Sequence, residues 1–117
     1  MAARRHLGCL AALVFCALTA CKDKGNSDLE KRCAQVAKAC GDKDKHVEKV
    51  TAECKQAAAK YVDKGCADKA TALFDCYEKN LCGGDDRVWA LDDLRVLSER
   101  HKKCVAERTA ASQCIEK

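Results

Sequence analysis

Eight of the chain's eleven cysteines, Cys33, Cys40, Cys54, Cys66, Cys76, Cys82, Cys104 and Cys114, follow position 21 and carry its chemistry. Thiols so abundant can do two things: oxidise pairwise to cystines, or ligate a metal as thiolates. Structural zinc sites place paired ligands about two to four residues apart, whereas the closest pair here, Cys76 and Cys82, has five residues between its members. There is no Cys-x-x-Cys, hence no thioredoxin-like redox pair, and no Cys-x-x-Cys-His to attach a haem. The even number favours cystines, each contributing about 2–4 kcal/mol by constraining the unfolded chain. A metal-handling chain that uses reduced Cys and His ligands, with His46 and His101 supplementing the thiols, is the competing expectation.

The remaining polar residues form no recognisable catalytic set. Hydrolysis by a nucleophile, base and orienting group would draw on Ser27, Ser98, Ser112, His46 and His101, and none lies in a known motif. Gly83-Gly84-Asp85-Asp86 lacks the Gly-Lys-Ser/Thr ending of a phosphate loop and the alternating oxygen ligands of a calcium loop; a helix stop followed by a cap accounts for it. His101 falls on an apolar stripe between Leu97 and Cys104 and is expected to be packed, while His46 reads as a solvated first-turn residue. Trp89, the one tryptophan, is expected in the core because Trp is highly buried on average. No catalytic residue, metal ligand or cofactor is expected, and the chain does not read as an enzyme.

The elements that must position the cysteines are helical. Ser27-Asp28-Leu29-Glu30 has the capping-box pattern; Leu29, Cys33, Val36, Ala37 and Cys40 follow at helical spacing, with Gly41 as a left-handed stop. A second helix begins after Asp42 or Asp44, buries Val47, Val50, Cys54, Ala58 and Tyr61, and ends at Gly65. A third runs from about Ala67 through Leu73, Phe74 and Tyr77 to Gly83-Gly84. Asp85 and Asp86 can cap a fourth helix reaching Ile115, while Asp92-Asp93 offers a second start and leaves that boundary open. The chain has no proline and no stretch alternating like a strand. The expected fold is all-α, a small disulfide-stapled bundle of three to four helices.

Eight cysteines allow on the order of a hundred connectivities, and helix geometry narrows them. Cys33 and Cys54 lie at nearly equal distances from the turn around Lys43, so an antiparallel hairpin sets them opposite each other. Cys66–Cys76 and Cys104–Cys114 each enclose nine residues; Cys66 with Cys114 and Cys76 with Cys104 both centre on Ala90, so one hairpin could close both. That requires Cys82 to about Asp92 to form the bend. A single helix from Asp86 would instead set only Cys66 opposite Cys104. Cys40 and Cys82 pair by elimination. The doubled spacing resembles the twin Cys-x9-Cys helical hairpins of mitochondrial intermembrane-space proteins, over Cys66 to Cys114 alone, and implies a hairpin and no function.

Upstream, Arg4 and Arg5 precede an apolar run from Leu7 to Leu18, the charged and hydrophobic regions of an export signal. The run is shorter than the roughly 20 residues a transmembrane helix needs. It ends in Leu18-Thr19-Ala20-Cys21, which resembles the lipobox of bacterial lipoprotein precursors. The resemblance implies a diacylglyceryl thioether on Cys21, cleavage after Ala20 and N-acylation of the new amine, a set of acyl chains sufficient for stable anchoring. Lys22 in place of Asp after the lipidated Cys implies transfer to the outer membrane, facing the periplasm or the cell surface. The expected organisation is a signal peptide over 1–20, a polar tether over 21–26 and a Cys-rich helical domain over 27–117. With its lipobox, short tether and cysteine-rich helices the chain is similar to small orphan lipoproteins of myxobacterial type, a likeness that implies no activity.

Export supports the cystine expectation, because disulfides persist in an oxidising envelope. After cleavage, twenty Lys and Arg face eighteen acidic residues, a net charge of +2. Interspersed charges of that balance make a solvated helical surface and argue against nucleic-acid binding. Large apolar residues are few, so the core must be thin and in need of staples. The expectation is a membrane-anchored, non-enzymatic protein with a binding or structural role, leaving room for an envelope protein partner.

Overall fold

The computed structural model describes residues 14–117, with side chains from residue 26 onward. The side chains of the expected export segment and of Cys21, with its expected lipidation, lie outside that description. Five helices follow in order: α1 (Val14–Cys40), α2 (Asp44–Asp63), α3 (Ala67–Asn80), α4 (Leu91–His101) and α5 (Val105–Glu116). No strand forms among the described residues; an isolated bridge pairs Gly41 with Val88.

The first three helices run up, down and up, α1 packing on both α2 and α3. Their shared core holds Leu29, Val36, Val50, Leu73 and Phe74, with alanines at Ala37, Ala58 and Ala70 that leave no exposed surface. Small residues at these contacts let the helix axes approach closely, and buried sulfur takes the place of the large side chains the sequence lacks. The α5 helix packs along α3, and α2 touches α4.

The bundle has five helices where three to four are expected, because the C-terminal region breaks after His101. Lys102 (φ 57°) and Cys104 (φ 62°) both adopt left-handed backbone, a conformation costing a non-glycine residue roughly 1 kcal/mol or more. The bend is held from outside: the Ser98 hydroxyl, fully buried, donates to the Lys103 carbonyl. No glycine marks this turn.

Three local expectations also change. Ser27 does not cap a helix, because α1 extends through it; with no proline to stop it, the helix continues, and Asn26 Nδ2 donates across one turn to Glu30 Oε2 at 3.4 Å. Gly41 is not left-handed; it is needed for closeness, since a Cβ there would sit 2.5 Å from Val47 Cγ2 and 2.8 Å from the Ala37 carbonyl oxygen. Gly65, by contrast, has φ +72° and suits the left-handed turn between α2 and α3.

The start of α4 is resolved in favour of the second acidic pair. Asp93 Oδ2 accepts from the amides of Trp89 (2.8 Å) and Ala90 (3.0 Å), and Glu53 Oε1 reaches over from α2 to accept from Leu91 N at 2.9 Å. Carboxylates satisfy the otherwise open amides and oppose the positive end of the helix dipole. Asp85 and Asp86 therefore cap nothing; they lie in the loop before α4.

Candidate functional site

The structure brings the eight cysteines together as Cys33 with Cys54, Cys40 with Cys82, Cys66 with Cys114 and Cys76 with Cys104, each pair of sulfurs at bonding distance. The Cα separations are 5.6, 4.5, 6.0 and 5.8 Å in that order, all within the span a cystine bridges. Cys33 and Cys54 have no exposed surface and belong to the core. Cys40 and Cys82 join the ends of the parallel helices α1 and α3. The last two pairs clamp α3 antiparallel to α5. The bend between them is not the short segment from Cys82 to Asp92: the whole of α4 lies inside the connection, and the hairpin is α3 against α5.

The polar candidates scatter. His101 is exposed, and its Nε2 lies 2.7 Å from Asp86 Oδ2, while Arg100 Nη1 donates to Asp86 Oδ1 at 3.2 Å. His101 is thus on the solvent side of α4 and not in the packed stripe, because the helix ends there and α5 restarts on a different axis. Trp89 is 54% exposed and not in the core; its indole stacks on the half-buried His46 ring, with centroids 5.4 Å apart. The preceding residue, Val88, fills the inward position through its bridge to Gly41. Ser98 is committed to the α4–α5 turn, and no serine hydroxyl among the described residues bonds to a histidine. Among the described residues no group of three or more His, Cys, Asp or Glu side chains is arranged to hold a metal ion, and no helix is long and apolar enough to cross a membrane.

The candidate site that sequence reasoning missed is a cleft of about 460 Å³ bounded by α2, α3, α4 and α5. Tyr61, Leu73, Phe74 and Tyr77 form its apolar wall; Arg95, Arg108 and Ser112 bring polar groups to it. The Tyr61 and Phe74 rings meet edge to face, their centroids 6.2 Å apart. Burial pushes the Tyr77 hydroxyl up to about 12, partly opposed by the positive charges of Arg108 and Arg95. Burial also raises Tyr61.

The charges around this cleft are unequally committed. Arg95 grips Asp92 with two hydrogen bonds, Nε to Oδ1 at 2.7 Å and Nη2 to Oδ2 at 3.0 Å, holding that carboxyl below its ordinary range. Glu53 is engaged with the α4 amide. Among the described residues Arg108 reaches only Glu99 Oε2, from Nη1 at 3.3 Å, and its buried Nε has no hydrogen-bond partner. A guanidinium carries five N–H donors, and a buried donor left unmade costs about 1–3 kcal/mol. The signal was thin in sequence: Arg108 and Ser112 stand one turn apart on α5, but Tyr61 and Phe74 read as ordinary core positions. No family model, curated protein or solved structure matches this chain.

Proposed function

We propose that this chain is the precursor of a lipid-anchored protein of the bacterial envelope, whose mature domain is a cystine-stapled helical module that acts by binding and not by catalysis. The observation that carries the anchor is Leu18-Thr19-Ala20-Cys21 behind Arg4, Arg5 and the apolar run to Leu18. The all-helical stapled fold suits an extracytoplasmic address, where disulfides persist. It gives a thin-cored domain rigidity that packing alone would not supply. Acyl chains on Cys21 would supply the membrane attachment, so the folded domain needs no hydrophobic patch for it.

Two measurements on the protein recovered from cells test the reading. Alkylation without reduction followed by intact mass should add no label to the mature chain, whose mass should begin at an acylated Cys21. Cys21→Ser should accumulate as unprocessed precursor or as a soluble exported product. Several alkylated thiols with bound zinc or copper would favour the metal-handling alternative. A chain that retains Met1 in the cytoplasm, or a Cys21→Ser variant that still partitions into detergent, would overturn the anchor.

A further inference from the structure

The cleft between α2, α3, α4 and α5 combines a ligand-sized volume with a fixed aromatic wall. Its volume, about 460 Å³, lies in the range of small-molecule sites, and its aromatic wall is already in place, with Phe74 2% and Tyr77 5% exposed. The cystines Cys66–Cys114 and Cys76–Cys104 hold α3 and α5, which carry Phe74, Tyr77 and Arg108, in fixed register.

The polar groups then decide what could enter. Asp92 is paired with Arg95 and Glu53 Oε1 accepts from Leu91 N, so both carboxylates that line the cleft are already engaged. The donors are not: Arg108 makes one hydrogen bond, at 3.3 Å, to a carboxylate it shares with Arg95, and its buried Nε–H makes none. Ser112 adds a hydroxyl one helical turn away. Two carboxylates close by disfavour a dianion, while a single delocalised negative charge matches the planar fork of a guanidinium.

We propose that this cleft binds a small monocarboxylate with a flat apolar body, the body against Tyr61, Phe74 and Tyr77 and the carboxylate on Arg108 and Ser112. This deepens the binding half of the reading above and rests on it, and is independent of the lipid anchor.

The test uses the chain as isolated, in zwitterionic nanodiscs if it comes with membrane and in buffer if it does not. It is titrated with 3-phenylpropionate, indole-3-acetate and 2-naphthoate, each beside its neutral primary amide, by calorimetry and by proton–nitrogen NMR. The carboxylates should saturate, shifting resonances of Tyr61, Tyr77 and Arg108, and bind about tenfold more tightly than their amides, the factor expected of one charge-assisted hydrogen bond. Arg108→Gln should abolish that preference and Arg108→Lys restore part of it. Should Arg108→Gln not fold, Ser112→Ala, at an exposed position, should still weaken the carboxylates several-fold and leave the amides unchanged. Absence of saturable binding by all three acids, equal affinity for acid and amide, or shifts confined to another face would each overturn the proposal. All three outcomes leave the anchor and the cystines standing.

Discussion

Between Cys33 and Cys54 two helices are joined by sulfurs with no exposed surface, whereas α4 contains no cysteine and is held by Leu94 and Leu97 beneath it and by carboxylates at its start. The first region has an apolar stripe made largely of alanine, cysteine and valine, too little area to fix a helix pair by hydrophobic burial alone. The second brings two fully sized leucines and needs no covalent tie of its own. Around α4 the surface is laced with ion pairs: Arg87 with Asp42, Arg100 with Asp86, and Arg95 with Asp92 and Glu99. Exposed pairs of this kind contribute little each. In this comparison the staple stands where packing is poor, and α4, the helix without a cysteine, shares the cleft with the stapled α2, α3 and α5.

Breaking the contrast outright means removing the buried cystine. Cys33→Ala with Cys54→Ala opens a 21-residue separation and leaves unfilled space in the core, for an expected loss of about 3–5 kcal/mol in denaturant unfolding. A loss no larger than that of a single surface cap would show that the frame does not depend on this staple.

Tyr77 joins the two regions, lying on α3 in the wall that faces Asp92 and Arg95 of α4. Its folded pKa, raised to about 12 from 10.0, means the neutral hydroxyl is the form the fold favours. That contribution is complete below pH 10 and is lost as pH rises through 12, by about 2–3 kcal/mol. Thermal unfolding followed from pH 9 to 12 should show this loss, and Tyr77→Phe should flatten it; an unchanged slope in the variant would place the alkaline transition elsewhere.

The smallest effect sharpens the comparison. Asp93→Ala removes the acceptor for the two amides that lead into α4, those of Trp89 and Ala90, and should cost about 1 kcal/mol. Hydrogen exchange should quicken in Leu91 to Leu97 while amides of α1 and α2 keep their protection. Uniform acceleration through all five helices would mean that α4 and the frame open as one unit.

How much of this was legible depends on what each element carries in its own residues. α2 and α3 were plain, because apolar period and glycine stop coincide at Gly65 and just beyond Asn80. The pairs Cys66 with Cys114 and Cys76 with Cys104 can be counted from two equal spacings, although the connection between them holds an entire helix. The break at Lys102–Cys104 could not be read, because neither residue favours left-handed backbone and the hydroxyl that secures the turn belongs to Ser98. Trp89 and His101 went to the surface for a related reason: their orientation follows from where α4 begins and ends.

By itself the sequence determined the helical class and the need for staples, properties of residue type and short-range spacing, and it carries the Leu18-Thr19-Ala20-Cys21 ending on which the proposed anchor rests. The tertiary structure decided where α4 starts, through a carboxylate sent across from Glu53, and assembled the cleft from side chains as far apart in the chain as Tyr61 and Ser112. Periodicity reports which face of a helix is apolar. Which faces then converge, and which buried donor is left without an acceptor, is set only when the helices are packed together.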